Sequence, residues 1–370
     1  MTLLTPPREI LYQFCSASSI IEVTTLGQGN INDTFLVQTK KVSIVLQRIN
    51  DQVFPDPTIL IDNLQHLTNH LLSQPHSAAR HWQEAVLIPA LDGSLSVRDS
   101  KGSSWRALSY IEESISFSRV ETAFQAEQTG WALGHFHKRL IGLDVKKMQF
   151  PLPGFHDLTN YLAQYEKVST ETLKKSSPEI QYCLNTIKDA HKNALALEKA
   201  LTKGIIQKKI IHGDPKIANV LFAKKSDLAI SLIDLDTVGP GILQHDIGDC
   251  LRSVCNIAGE ESNPATVSFD LDLCERTLKG YFQEAGKLLS SIDRELIYDG
   301  VKAITFELGL RFFTDYLQGG IYFKGSNPEE TLQKALVQFA LLHDIIAKEK
   351  AIHKLAFIGT DTKTQYTITR

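Results

Sequence analysis

His212-Gly213-Asp214-Pro215-Lys216-Ile217-Ala218-Asn219, followed by Leu232-Ile233-Asp234-Leu235-Asp236, is the stretch on which the reading of this chain turns. An acid, an amide five positions later and a second acid twenty positions after the first are residue types that phosphoryl transfer uses in that order. A carboxylate has to orient the attacking hydroxyl and take its proton. Hard oxygen ligands have to hold Mg²⁺ against a triphosphate. Asp214 is therefore the candidate catalytic base, and Asn219 and Asp234 are the candidate metal ligands, with Asp236 a weaker one. Lys216 stands two positions after Asp214, so a tight loop presents both to the same phosphoryl group.

The flanks supply a geometry. Lys209-Ile210-Ile211 runs apolar into His212, so the loop leaves a buried element. Val220–Ala223 and Leu228–Ile233 are short β-prone runs, and the polar residues 224–227 between them form a turn candidate. A hairpin here sets Asn219 before its first strand and Asp234 at the end of its second, so two ligands distant in sequence meet at one ion. A lone His-x-Asp is common at surface turns. The two motifs with a hairpin between them are far rarer.

The pattern H-G-D-x-x-x-x-N followed by I-D-x-D resembles the aminoglycoside phosphotransferase and choline kinase superfamily. That resemblance implies an α+β, bilobal, protein-kinase-like fold with a small β-rich N-lobe and a large, mainly helical C-lobe. It implies ATP as co-substrate, Mg²⁺, and a small-molecule acceptor. In many members the second position after the Asp is His; here it is Lys216, as in protein kinases. The expected division is a nucleotide-covering lobe over residues 1–112 and a catalytic and acceptor-binding lobe over residues 113–370.

Working upstream, Val23–Leu26 and Phe35–Gln38 flank Gly27-Gln28-Gly29-Asn30-Ile31-Asn32-Asp33-Thr34. Strand, glycine-containing turn, strand is the layout of a phosphate-covering loop, because glycine lets backbone N–H groups approach phosphate oxygens. Gly27, Gly29, Asn32 and Thr34 are the candidates there. On the next strand, Val42–Ile49, protein kinases carry a phosphate-pairing Lys. This chain has Gln47 and Arg48 instead, which alternation sends to opposite faces. Charge favours Arg48 as the nucleotide-facing residue. Thr58–Leu72 has Leu60, Leu64, Leu67 and Leu71 at helical spacing and no Glu; Asp62, Asn63 and His66 read as exposed polar positions. Ala85–Pro89 and Trp105–Ile111 read as strands, and Glu112 opens the segment expected to cross between lobes and meet adenine.

From about Phe117 helices dominate: Thr122–Ile141, Asn160–Val168 and Pro178–Thr202, then more beyond the catalytic segment. His135 and His137 read as packing or surface histidines, and Asp246, Asp249 and Arg252 as organisers of the large lobe. A chain of 370 residues with 43% hydrophobic and 22% charged residues has the composition of a globular protein of two lobes. A net charge of −3 argues against a nucleic-acid partner. The five cysteines form no metal pattern and read as reduced thiols. No signal peptide or apolar run of about 20 residues is visible, so no membrane association and a cytoplasmic location are expected, and no protein partner is inferred.

Two further stretches narrow the resemblance. Gly29–Phe35 with Val45–Asn50 and Val53–Pro57 is one; Leu310–Phe323, reading L-R-F-F-T-D-Y-L-Q-G-G-I-Y-F, is the other. Together they are similar to the N-acetylhexosamine 1-kinase branch, which phosphorylates an anomeric hydroxyl. The resemblance implies a sugar acceptor read by Asn30, Arg311 and Tyr322. Arg supplies a fork of donors and Tyr an amphipathic ring. A helix-spaced ion pair of Arg311 with Glu307 or Asp315 is the alternative role. A kinase of another small alcohol (aminoglycoside, choline or homoserine) and a non-catalytic nucleotide-binding regulator stay open at this point.

Overall fold

A computed structural model of the chain describes residues 5–27, 31–74, 80–172, 177–259, 263–320, 323 and 327–359. Its amino-terminal part is built on an antiparallel sheet. Helix α1 (Arg8–Phe14) precedes β1 (Ile20–Thr25), β2 (Asp33–Thr39), β3 (Ser43–Arg48), helix α2 (Pro57–Ser73), β4 (Leu87–Ile88), β5 (Val97–Arg98) and β6 (Ser104–Ser109). The sheet order is β1-β2-β3-β6-β4, with β5 also paired to β6. Side-chain alternation gives it two faces. On one, Phe35, Val37, Ile44, Leu46, Trp105 and Ala107 pack with Ile10, Leu11 and Phe14 of α1. The other carries Thr34, Leu36, Val45, Gln47, Arg106 and Leu108.

Helix α2 starts where Pro57 follows Asp56, whose carboxylate accepts the Thr58 N–H. It buries Leu60, Leu64, Leu67 and Leu71, as the leucine spacing predicts. The strands expected over residues 85–89 and 105–111 are shorter, Leu87–Ile88 and Ser104–Ser109. Glu112 and Glu113 then lead into β7 (Ser114–Ile115), which pairs with a strand of the following part.

That larger part is mainly helical. It runs α3 (Ala123–Arg139), α4 (Leu158–Thr172), α5 (Pro178–Ala194), α6 (Ala196–Thr202), β8 (Lys209–Ile211), β9 (Val220–Ala223), β10 (Ala229–Leu232) and β11 (Gly239–Gly241). Helices α7 (Leu243–Cys255), α8 (Leu271–Ala285), α9 (Ser291–Glu295), α10 (Ile297–Leu317), α11 (Pro328–Ala347) and α12 (Glu349–Leu355) complete it. The single helix expected from Pro178 to Thr202 is two, broken at Leu195. The predicted hairpin is present: β9 and β10 pair antiparallel, with β7 on the outer edge of β9. The architecture is the small sheet part and large helical part expected from the motif.

Two helices that carry site residues cross in near backbone contact. A Cβ on Gly248 of α7 would lie 2.5 Å from the Gly300 carbonyl of α10, and one on Gly300 would lie 2.3 Å from the Gln244 carbonyl. Only glycine fits at that crossing. It fixes Asp246 of α7 relative to Glu307 and Arg311 of α10. Among the described residues, no helix is long and apolar enough to cross a membrane.

Candidate active site

The loop after β8 is held from beneath by one carboxylate. Asp246, fully buried, accepts the N–H groups of His212 (2.7 Å, Oδ2) and Gly213 (2.8 Å, Oδ1). His137 Nε2 adds a third contact to Oδ2 at 2.7 Å, and its Nδ1 meets the Tyr281 hydroxyl at 2.9 Å. Burial works against the ionised form of Asp246, but the His137 hydrogen bond and charge and the backbone donors outweigh it, so its acidity is raised. His137 is thus a buried support of the loop. Gly213 has φ +88°, and a Cβ there would lie 2.7 Å from the Thr237 carbonyl.

The His212 ring is the link between the two motifs. Nε2 faces the Ile233 carbonyl at 3.0 Å and so donates, while Nδ1 accepts the Asp214 N–H at 3.2 Å. That pattern requires the neutral ring, which burial also favours. Thr237 Oγ1 returns a bond to the His212 carbonyl at 2.8 Å. The motif around Asp214 and the motif around Asp234 therefore form one unit.

Within it, Lys216 Nζ lies 2.7 Å from Asp214 Oδ2. The Asn219 amide nitrogen donates to the Asp214 carbonyl at 2.7 Å and to Oδ2 at 3.1 Å. Burial at the cleft floor opposes ionisation of Asp214, yet the Lys216 ammonium overcomes it and keeps the carboxyl below its usual range. The Ile233 N–H donates to the Asn219 carbonyl at 2.8 Å, which sets Asp234 beside Asn219 as the hairpin predicts. Asp234 has a left-handed backbone, φ 65°. The residue is exposed, yet partial desolvation of its carboxyl by the surrounding protein, with the negative charges of Asp236 and Asp214, raises it to about 7.

That excess of negative charge fits a divalent cation. Asn219 commits its amide nitrogen to Asp214, so its side-chain oxygen and the Asp234 carboxylate are the groups that would ligate such an ion. Among the described residues no group of three or more His, Cys, Asp or Glu is arranged to hold a metal. A site of one carboxylate and one amide suits Mg²⁺, which completes its shell with phosphates and water.

Asp236 is engaged otherwise. Its Oδ1 pairs with Arg106 of β6 and its Oδ2 accepts the Asn32 amide at 2.7 Å, two bonds from the sheet part to the helical part. Arg106 also gives Nε and Nη2 to Gln47 Oε1 at 3.0 and 2.7 Å, and Gln47 Nε2 bonds Thr34 Oγ1 at 3.2 Å. Arg48 sits on the opposite, α1-covered face and bonds Asp33, its cross-strand neighbour. So Gln47, not Arg48, shares the face that reaches Asp236, while Arg48 pairs with its cross-strand acid. Asn32 acts as a strut, its Oδ1 also accepting the Asn50 N–H at 3.0 Å. Gly27 turns the chain with φ +70°; Gly29 and Asn30 lie outside the described residues. Glu112 is exposed and accepts a bond from Ser43 at 3.3 Å. Asn63, expected on a polar surface, is buried: it bonds the Gln149 and Val238 carbonyls at 2.6 and 3.2 Å and accepts the Gln149 N–H. Helix α2 is thereby tied to the helical part through an amide.

A second cluster adjoins the loop on the side of α10. His156, with φ 54°, sends Nε2 to the Gly213 carbonyl at 2.8 Å and Nδ1 to Glu307 at 3.1 Å. Both partners are acceptors, so both nitrogens carry protons and the ring is an imidazolium. Burial alone would disfavour that charge; the Glu307 carboxylate and the Gly213 carbonyl outweigh it and raise the His156 pKa. The His245 ring, 5.0 Å away, stays neutral, its pKa lowered to about 3 by burial and by His156. Glu307 also pairs with Arg311 at 3.7 Å, the helix-spaced ion pair anticipated above. The Arg311 guanidinium lies over Tyr161, Phe155 and Phe323, 5.1 to 5.8 Å from the ring centres. Tyr322 lies outside the described residues. Sequence reading missed His156; its one local signal is a His in a Pro-Gly-Phe-His turn.

The model of the phosphotransferase enzyme family matches residues 22–281. The chain belongs to that family. Solved structures agree on the fold. An aminoglycoside phosphotransferase from Alicyclobacillus acidocaldarius aligns over 96% of this chain and 98% of its own, with TM-score 0.64 and 14% identity. A microcompartment-associated aminopropanol kinase aligns over 94% and 98%, with TM-score 0.64 and 15% identity. A choline kinase from Cryptosporidium parvum aligns over 92% of each chain, with TM-score 0.58 and 14% identity. The superfamily read from the motif is the one these comparisons identify.

Proposed function

We propose that this phosphotransferase is an ATP- and Mg²⁺-dependent kinase of a neutral sugar, with the anomeric hydroxyl of an N-acetylhexosamine as acceptor. The observation that carries the choice of acceptor is the pair of cations beside the catalytic loop. A choline-type site needs an open aromatic cage for a quaternary ammonium. Here the aromatic side chains Phe155, Tyr161 and Phe323 already surround the Arg311 guanidinium. An aminoglycoside site needs spare carboxylates. Glu307, the buried acid of this cluster, is neutralised by His156 and Arg311. Glu307 with His156 and Arg311 forms a cluster of net positive charge, which disfavours an ammonium acceptor and is compatible with a neutral polyhydroxyl one.

In this reading Asp214 aligns the acceptor hydroxyl and takes its proton as the oxygen attacks the γ-phosphorus. The bond from that phosphorus to the β–γ bridging oxygen breaks and ADP leaves. Lys216 Nζ, 2.7 Å from Asp214, stabilises charge on the transferring group. Asn219 and Asp234 would hold Mg²⁺, which neutralises phosphate charge when bound.

The test is a panel of N-acetylhexosamines, free hexoses, choline, homoserine and an aminoglycoside with wild-type enzyme and Arg311→Ala. Loss of a charged hydrogen bond costs about 1.5–3 kcal/mol. The variant should lose roughly ten- to two-hundred-fold in kcat/KM for the sugar and keep its ATP affinity. Turnover of choline or the aminoglycoside with none of any sugar would refute the acceptor assignment.

A further inference from the structure

The strand that carries the phosphate-pairing Lys in protein kinases offers Gln47 at the cleft-facing position. A charged group does stand on that face, one strand over. Arg106 is 1% exposed and lies directly across the β3–β6 ladder from Gln47. Two of its nitrogens are used: Nε and Nη2 reach Gln47 Oε1, and Nη2 also reaches Asp236. Its third nitrogen, Nη1, is buried without a hydrogen-bond partner. A buried guanidinium N–H left unpaired costs stability, and the carboxylate that holds this guanidinium, Asp236, stands two residues after Asp234, the proposed metal ligand.

We propose that Arg106 is the cation through which the sheet part binds the nucleotide phosphates, with Nη1 donating to a phosphate oxygen and Gln47 as its positioning residue. The proposal rests on the nucleotide-dependent phosphotransferase reading. The parts of a kinase phosphate clamp are then all present but redistributed. The cation comes from β6 instead of β3. The carboxylate that holds it is Asp236 of the helical part, where helix α2 offers no Glu. Because Arg106 and Asp236 belong to different parts of the molecule, the ion pair that holds this cation also joins the sheet part to the helical part. A guanidinium also presents a planar fork that a Lys ammonium cannot copy. Gln47 consumes one edge of that fork, which aims the remaining edge.

Titration calorimetry with ATP, ADP, AMP and adenosine tests this on wild type, Arg106→Lys, Arg106→Gln, Gln47→Leu and the double variant Arg106→Gln with Asp236→Asn. The double variant removes both charges, so it leaves no buried charge unpaired, and a thermal melt reports that it is folded. Removing a charged donor predicts an ATP affinity about ten- to a hundred-fold weaker in both Arg106→Gln variants, with adenosine affinity unchanged. Arg106→Lys and Gln47→Leu should fall between these and wild type. A folded double variant that binds ATP within about two-fold of wild type overturns the proposal. So does a parallel loss of ATP and adenosine, which marks a lobe contact with no phosphate role. Wild type that binds none of the four removes the nucleotide reading itself.

Discussion

Asp246→Asn changes one atom and alters the support of the whole catalytic loop. Asp246 receives three donors, the N–H groups of His212 and Gly213 and the His137 imidazole, and it is 0% exposed. An asparagine has one acceptor oxygen and one NH₂ group. With its NH₂ at the Oδ1 position it faces the Gly213 N–H; at the Oδ2 position it faces the His212 N–H. Either way a backbone donor of the loop is left unpaired in the interior, at about 1–3 kcal/mol. The remaining bonds lose their ionic strengthening, which is roughly half of each. Together these give about 2–4 kcal/mol of lost stability, read as a lower midpoint in denaturant at unchanged slope. Displacement of Asp214 by even about 1 Å costs on the order of 100-fold in turnover. Equilibrium unfolding and steady-state kinetics on one preparation check both numbers. A variant within about 0.5 kcal/mol of wild type and of normal kcat would refute the idea that this carboxylate holds the loop.

His156 gives a pH signature. Its folded pKa is raised, so its stabilising contribution is complete below the unfolded value of about 6.5 and is lost as pH rises through the folded value. His156→Asn keeps a residue that tolerates φ 54° and removes the imidazolium, so stability measured across that window should become flatter. A slope unchanged by the substitution would contradict the assignment. Asp234→Asn should weaken Mg²⁺-dependent ATP binding and leave adenosine binding intact, measured by titration with and without the metal; equal Mg·ATP affinity would move the metal site elsewhere.

The parts of this site that were legible in the sequence are the local ones. The spacing of Asp214, Asn219 and Asp234 and the polar turn over residues 224–227 determine the hairpin and what it juxtaposes. The contacts that were not legible join residues far apart in the chain. Asn32 meets Asp236 across 204 positions, Arg106 meets Asp236 across 130, and His156 meets Glu307 across 151. Arg106 did leave a trace. It is a cation flanked by Trp105 and Ala107 in the middle of a β-prone run, and a charge placed there needs a buried partner. The pairing of Arg48 with Asp33 across the strand is likewise not visible from charge alone. Asn63 misled because a polar residue on an amphipathic helix reads as exposed until a second backbone covers it.

The most direct test of the phosphotransfer chemistry proposed for this site is phosphorus NMR of a reaction containing ATP, Mg²⁺ and N-acetylglucosamine or N-acetylgalactosamine. Wild type should convert the γ-phosphate into a sugar 1-phosphate signal coupled to the anomeric proton, and Asp214→Asn should form it about 10²–10⁴-fold more slowly. No sugar phosphate from wild type, or an equal rate from Asp214→Asn, would contradict it.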